Sequence, residues 1–230
     1  MIKNTIKIAL VGQPNVGKSM LINSISNARL KVGNFSGVTV SKEQVFFDYK
    51  NFHIEIVDLP GAYSLNDYTI EEKVTKDFLN NEKYDIILNV LDSTNLQRNL
   101  LLTAELLTLD KKMIIALNMS DEAEKESILI DEIQLSKILG KPCIKTSAAK
   151  KSGITKLLDE ILLKFQSQKV PSKFFFSNVI EEEIENISRV LEENKYETTE
   201  TYRQISLGLL KENKNIYKQF HDEPIWIKIQ

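Results

Sequence analysis

The octapeptide Gly12-Gln13-Pro14-Asn15-Val16-Gly17-Lys18-Ser19 constrains the fold more than any other stretch of this chain. It follows a β-branched run, Thr5–Val11, and opens a stretch of helical period at Lys18, with Met20 next in line. That is G-x-x-x-x-G-K-[ST] in the strand-to-helix setting where it cradles phosphate. The glycines let backbone N–H groups turn inward, and the helix N-terminus adds a favourable field for anions. Lys18 offers a point charge to β and γ phosphates, and the Ser19 hydroxyl can ligate Mg²⁺. The plain alternative is a glycine-rich turn with a solvated lysine. A strand–loop–helix of this kind belongs to an α/β fold with a largely parallel sheet.

The rest of the chain alternates accordingly as far as about Phe165. β-Branched runs predict strands at Thr5–Val11, Glu43–Tyr49, His53–Asp58, Ile86–Asp92, Lys112–Asn118 and Pro142–Thr146. Helical spacing predicts helices over Lys18–Asn27, Ile70–Leu79, Leu96–Leu109, Glu132–Leu139 and Ile154–Phe165. Asp131 caps the Glu132 helix, with Gln134 completing a capping box, and Gly140 followed by Pro142 ends it. The second and third strands are too close in sequence for a parallel crossover, so they form an antiparallel hairpin at one edge of a mostly parallel six-stranded sheet. Residues 166–172 read as a polar linker. Residues 173–230 read as a small all-helical domain, in which Ile180, Ile184, Ile187 and Leu191 recur at helical spacing, followed by Tyr202, Ile205, Leu209 and Leu210. The expected organisation is a phosphate-binding domain over 1–165, the linker, and the helical domain.

Composition excludes several function classes. With 30 basic against 32 acidic residues and a net charge of -2, nothing favours sequence-independent nucleic-acid binding. The single cysteine, Cys143, and the separated His53 and His221 offer no transition-metal cluster. No apolar run approaches the ~18 residues of a membrane span. The polypeptide reads as soluble, which leaves open a membrane partner or a membrane continuation beyond Gln230.

Three further motifs follow in a fixed order. Asp58-Leu59-Pro60-Gly61 ends the third strand, where Asp58 can hold Mg²⁺ through water and the Gly61 N–H can meet a γ-phosphate. Asn118-Met119-Ser120-Asp121 resembles the guanine-reading N-K-x-D, with Met119 in place of lysine. The Asp121 carboxylate can accept from the ring N–H and exocyclic amine of guanine, a donor pair adenine lacks. Ser147-Ala148-Ala149 matches the loop whose backbone meets the guanine carbonyl. Each alone has a plain reading as cap or turn, but in this order and after this phosphate loop they favour GTP over ATP. Between the first helix and second strand, Gly33 to Val40 stands where a nucleotide-sensing switch belongs; Gly37, Val38 and Thr39 face the nucleotide, and Thr39 can complete the Mg²⁺ shell. Lys18, Thr39 and Gly61 are the candidate catalytic residues read from these motifs.

Several of these segments resemble one family. Val32-Gly33-Asn34-Phe35-Ser36-Gly37-Val38-Thr39-Val40 is similar to V-G-N-W-P-G-V-T-V, the first switch of the ferrous-iron transporter B (FeoB) family. Asp58-Leu59-Pro60-Gly61-Ala62-Tyr63-Ser64-Leu65 resembles its D-L-P-G-x-Y-S-L, and Asn118 to Glu124 its N-M-x-D-x-A-E, so the missing lysine is a family trait. Phe35 and Ser36 depart from the usual Trp and Pro. The resemblance implies a GTP-binding G domain and a helical GDI-like domain at the cytoplasmic face of a bacterial inner membrane, with the transporter's own membrane domain as partner, and it leaves homo-oligomerisation open. With Ala62 where many small GTPases place a water-orienting glutamine, hydrolysis is expected to be slow; the resemblance implies that K⁺ stimulates it, with Asn15, as a further catalytic candidate, and the carbonyls of Gly33 and Phe35 as ligands. Nothing in composition or spacing points to iron. The competing readings are a free-standing GTPase of ribosome assembly or tRNA modification, and a nucleotide-gated interaction module in which hydrolysis is incidental.

Overall fold

The computed structural model describes residues 4–25, 29–35, 38–66, 68–168, 174–198, 200–221 and 224–229. The chain divides into two compact units, Met1–Ser172 and Lys173–Gln230. The first has seven strands among the described residues: β1 (Asn4–Gly12), β2 (Arg29–Asn34), β3 (Ser41–Tyr49), β4 (Phe52–Asp58), β5 (Ile86–Asp92), β6 (Met113–Asn118) and β7 (Cys143–Lys145), in the spatial order β2-β3-β4-β1-β5-β6-β7. The helices are α1 (Lys18–Asn23), α2 (Ile70–Asn81), α3 (Leu96–Leu107), α4 (Ser120–Lys125), α5 (Glu132–Leu139) and α6 (Ile154–Gln166). β4, β1, β5, β6 and β7 run parallel, while β3 pairs antiparallel with both β2 and β4.

Burial explains this arrangement. Ile8, Ala9, Leu10 and Val11 on β1 are all fully buried in succession, as are Met113 to Leu117 on β6 to within 1%. A strand covered on both faces loses the in–out alternation and becomes a continuous apolar run. The core under β1 and β5 is closed by α6 through Ile154, Leu157, Leu158 and Ile161. Lys112 Nζ ends that helix by donating to the carbonyls of Phe165 at 3.0 Å and Ser167 at 2.9 Å. Asp131 caps α5 with Oδ1 on the N–H groups of Ile133 and Gln134, and Gly140 closes it at φ 63°.

One strand corrects the six-strand expectation, and one helix was not expected at all. β2 is an additional strand and forms the outer edge, so the β3–β4 hairpin lies one strand inward. Its Val32 is 60% exposed, so the strand is selected by backbone pairing with β3 and leaves no burial pattern in the sequence. α4, six residues inside the Asn118–Glu124 motif, buries only Ala123 and so lacks a periodic stripe. α1 ends at Asn23; residues 26–28, the end of the expected Lys18–Asn27 helix, lie outside the described residues.

The second unit has α7 (Asn178–Glu193), α8 (Tyr202–Leu210), α9 (Lys214–His221) and α10 (Trp226–Ile229). Ile187 and Leu191 pack with Ile205, Leu209, Ile216, Phe220 and Ile225 in one cluster. Ile184 is buried too, but Ile180 is 40% exposed and falls outside the stripe. Thr201 and Gln204 form a reciprocal capping box that starts α8. Arg203 grips Glu181 through both terminal nitrogens, at 2.6 and 2.7 Å, and donates to the Phe174 carbonyl at 2.8 Å. Of the expected 166–172 linker, Gln166 ends α6 and residues 169–172 lie outside the described set.

Candidate functional site

The phosphate loop leaves the C-terminal end of β1, where open α/β sheets bind ligands. Two of its glycines are sterically compulsory. A Cβ on Gly12 would stand 2.6 Å from the Val90 carbonyl oxygen, and one on Gly17 only 2.5 Å from Asn118 Nδ2, with Gly17 at φ 85° besides. Asn15 is also left-handed, at φ 67°, a region Asn tolerates better than most residues. Gln13 is buried at 4% exposure and donates from Nε2 to the Arg98 carbonyl at 2.8 Å, which ties the loop to α3. Val16 is buried, while Ser19 and Met20 are exposed on the first turn of α1.

β4 delivers Asp58 beside this loop. Lys18 Nζ lies 3.6 Å from Asp58 Oδ1, with both side chains 11% exposed. That distance is an ion pair and too long for a hydrogen bond, so Asp58 Oδ1 is buried with no hydrogen-bond partner. Burial pushes the carboxyl up to about 6, against the lowering pull of Lys18, and Glu43 pushes it the same way. The chain then turns back on the loop: the Leu59 N–H donates to Leu10 at 3.0 Å and the Ala62 N–H to Gly12 at 3.2 Å. The Pro60 carbonyl accepts from Thr75 Oγ1 at 3.1 Å. A Cβ on Gly61 would come within 3.0 Å of the Pro14 backbone, so this residue lies directly against the phosphate loop.

At the opposite flank, Asn118 ends β6 with its amide 1% exposed. Nδ2 donates to the Val16 carbonyl at 2.9 Å, and Oδ1 accepts from the Ala148 N–H at 3.1 Å and Thr146 Oγ1 at 3.4 Å. One side chain thus joins the phosphate loop to the Ser147–Ala149 loop. That loop is pinned further by reciprocal bonds between Ser147 and Ser152 at 3.1 and 3.0 Å. Met119 is left-handed at φ 57° and its methyl reaches towards Gly17. Asp121 sits in the first turn of α4, where Ser147 and then Lys150 hold its carboxyl below the usual carboxylate range. Because the Ala148 N–H is engaged by Asn118, exposed Ala149 carries the outward backbone of this loop.

The first switch is drawn towards the sheet edge. Gly33 pairs with Lys42 in the β2–β3 ladder. Phe35 is 8% exposed, meets the Phe78 ring edge-on at 6.1 Å and lies beneath Lys42 Nζ at 5.6 Å. Its carbonyl accepts from the Val38 N–H at 3.3 Å and its N–H donates to Val40 at 3.0 Å. Thr39 is exposed, in a cleft shared with Pro60, Ile70 and Glu71. Gly37 lies outside the described residues. The phosphate loop, Asp58, Gly61, Asn118 and the Ser147–Ala149 loop therefore converge, whereas no hydrogen bond among the described residues joins Asn15 to Gly33 or Phe35.

Sequence reasoning missed the acids that hold the segment after Gly61. Buried Glu72 accepts through Oε1 from the N–H and hydroxyl of Ser64, at 3.2 and 3.3 Å, and through Oε2 from the Tyr68 N–H at 3.2 Å. Glu105 Oε2 accepts from the Leu65 N–H at 2.6 Å. Thr69, which caps α2 three residues before Glu72, carried a signal for the first of these. Glu105 carried none.

Comparison with known proteins identifies the family. The family model for ferrous iron transport protein B matches residues 6–161. The Fe(2+) transporter FeoB of Campylobacter jejuni is 53% identical over 176 residues, covering 76% of this chain and 29% of the transporter. That of Helicobacter pylori is 58% identical over 180 residues, covering 74% and 28%. This chain therefore spans less than a third of the length of those relatives. The cytosolic domain of the T. maritima FeoB iron transporter, in a GDP form, superposes with a TM-score of 0.86 at 33% identity, covering 94% of this chain and 85% of that one. A nucleotide-bound relative of the same fold, a family match across the whole first unit's core, and the four motifs gathered at one end of the sheet lead to one assignment: the chain belongs to the ferrous iron transport protein B family.

Proposed function

We propose that this chain binds GTP and GDP and hydrolyses GTP slowly, as the nucleotide-operated part of a longer Fe²⁺ transporter whose membrane portion it regulates from the cytoplasmic face. The observation that carries the nucleotide reading is the Asn118 junction, which gathers phosphate loop and base loop with every polar atom of the amide used. Beside it, Asp121 is kept ionised as an acceptor for the two donors of guanine, and the backbone at Ala149 faces the base carbonyl. The GDP form of the T. maritima relative supports the same ligand class.

The donor set also fits Mg²⁺. Asp58 presents a buried oxygen with no hydrogen-bond partner, and Ser19 stands at the start of α1 with its hydroxyl exposed. Ser19 directly, and Asp58 through water, would hold the ion, which supplies charge neutralisation on the phosphate oxygens when bound. Lys18 shifts its charge from Asp58 to the phosphates, the Gly61 N–H donates to the γ-phosphate, and Thr39 closes over it once the first switch moves inward. Ala62 is 1% exposed and its N–H is spent on Gly12. It therefore offers no polar side chain and no free N–H to orient an attacking water, so that role falls to other backbone groups of the switches, in keeping with a slow rate.

K⁺ stimulation through Asn15, Gly33 and Phe35 belongs to the same proposal. The Phe35 carbonyl, which accepts from the Val38 N–H at 3.3 Å, keeps a second lone pair for the cation, and the first switch must move inward to bring it to Asn15. The helical unit is proposed to couple nucleotide state to the membrane portion. Equilibrium titration with fluorescent GDP and ADP tests the base site: a preference for GDP of about a hundredfold is expected from the missing donor pair, and equal affinities would reject it. Phosphate release in KCl against NaCl tests the cation, with equal rates rejecting it.

A further inference from the structure

Helix α3 lies between the phosphate loop and the segment that follows Gly61, and it touches both. Its register on the sheet is locked from below by a buried polar chain. Asn89 Nδ2 on β5 donates to Thr103 Oγ1 at 2.8 Å, Thr103 Oγ1 donates to the Asn99 carbonyl at 3.2 Å, and the Asp92 N–H donates to Asn99 Oδ1 at 3.4 Å. Asn89, Asn99 and Thr103 are 1%, 4% and 0% exposed. Such a chain permits one register, because a shift would leave several buried polar groups unpaired.

The upper face of the same helix holds the segment after Gly61 at two points. The Arg98 guanidinium lies 4.6 Å from the Tyr63 ring centroid, while the Arg98 carbonyl takes Gln13 of the phosphate loop. Two turns further along, on the same side of the helix, Glu105 Oε2 takes the Leu65 N–H at 2.6 Å. Between these points and Gly61, the Ala62 N–H is fixed to Gly12. We infer that Arg98 and Glu105 are positioning residues for GTP hydrolysis: α3 clamps Tyr63 and Leu65 so that the Gly61 N–H is held against the phosphate loop before a γ-phosphate arrives. Neither residue belongs to the four nucleotide motifs, and both act through residues 63–65. Their effect is to remove freedom from the one backbone donor that distinguishes GTP from GDP, and a donor positioned in advance stabilises the transition state without reorganisation.

The inference rests on the GTPase reading and has its own signature. A clamp that serves only Gly61 acts on turnover and leaves base and β-phosphate binding alone. Glu105→Ala is expected to lower kcat about tenfold while GDP affinity and the thermal midpoint stay near those of the parent. Glu105→Gln, whose amide oxygen still accepts from Leu65, is expected to restore most of the rate, which a general effect of charge would not do. Arg98→Ala is expected to lower kcat in the same direction, with its carbonyl still available to Gln13. An unchanged kcat in Glu105→Ala with GDP affinity intact overturns the clamp, as does a loss of kcat that Glu105→Gln fails to recover. Absence of hydrolysis by the parent protein would instead refute the GTPase reading, so the two failures are separable. Should Glu105→Ala fold poorly, single-turnover rates of Glu105→Gln and Arg98→Ala decide alone: Arg98→Ala slow with Glu105→Gln near parent supports the clamp, and any other pattern overturns it.

Discussion

The two flanks of the site differ in how finished they are. At the base flank every polar group of Asn118 is used, Ser147 and Ser152 close on each other, and Asp121 is held ionised. At the phosphate flank Asp58 Oδ1 has no hydrogen-bond partner, Lys18 leans on that carboxylate, Thr39 faces outward and the Phe35 carbonyl accepts within its own turn. The difference follows from what each flank reads. A base has the same edge in GTP and GDP, so its receptor can be built into the fold. The γ-phosphate comes and goes, so Lys18, Thr39 and the Phe35 carbonyl need another arrangement in its absence, while Gly61 is held ready by α3. In Phe35 that alternative is explicit: the ring is buried against Phe78 and capped by Lys42.

The sharpest way to break this comparison is to dismantle the finished flank. Asn118→Ala would strand the Val16 carbonyl and the Ala148 N–H in a buried setting, at about 1–3 kcal/mol for each group. A loss of about 2–6 kcal/mol in urea unfolding is therefore expected, together with loss of measurable GDP binding. A fully stable variant would show that the amide is not the junction described above.

The unfinished flank should announce itself through pH. In protein stripped of nucleotide and metal, the Asp58 carboxyl titrates at about 6 instead of its ordinary 3.8. The folded state thus binds this proton more tightly than the unfolded chain does. The resulting stability is fully present below about 4 and is lost as pH rises through about 6, a swing of about 3 kcal/mol at most. Asp58→Asn should flatten that part of the pH–stability curve, and an unaltered slope in the variant would assign it to other groups.

A more selective change tests base reading alone. Asp121→Asn is expected to weaken GTP about a hundredfold and to favour xanthine nucleotide, whose 2-oxo group can accept from the amide. Unchanged GTP affinity by fluorescent titration would refute the assignment. The smallest effect is expected where the residues after Asp58 meet the phosphate loop. Gly61→Ala forces a methyl within 3.0 Å of the Pro14 backbone, so hydrolysis should fall about tenfold while GDP affinity moves about threefold or less. A larger loss of GDP binding than of turnover would mean that Gly61 shapes the loop and does not sense the γ-phosphate.

Much of this was readable in the residues, and the reason differs from place to place. The phosphate loop was legible because Gly12 and Gly17 have no sterically allowed substitute, and Asp131 with Gly140 bounded α5 because caps are local chemistry. β2 was not legible: with Val32 exposed, its strand character comes from β3 alone. In the helical unit, α7 announced itself by spacing, yet Ile180 is 40% exposed and falls outside the buried stripe of Ile184, Ile187 and Leu191. α9 and α10 were absorbed into an undivided tail, although Ile216 and Phe220 stand one turn apart and both are buried.

The sequence by itself determined the order of the motifs, the phosphate and base chemistry they carry, and the alternation that makes an α/β sheet. These depend on residue type and short-range spacing, which a linear text preserves. Only the tertiary structure decided which groups are already satisfied and which wait. That Asn118 serves two loops at once, that Asp58 is left with a bare buried oxygen, and that Glu105 reaches back across some forty residues to Leu65 are facts of juxtaposition. Such contacts form between segments whose separation along the chain carries no signal, because burial and hydrogen-bond partners are set by the packed fold and not by sequence neighbours.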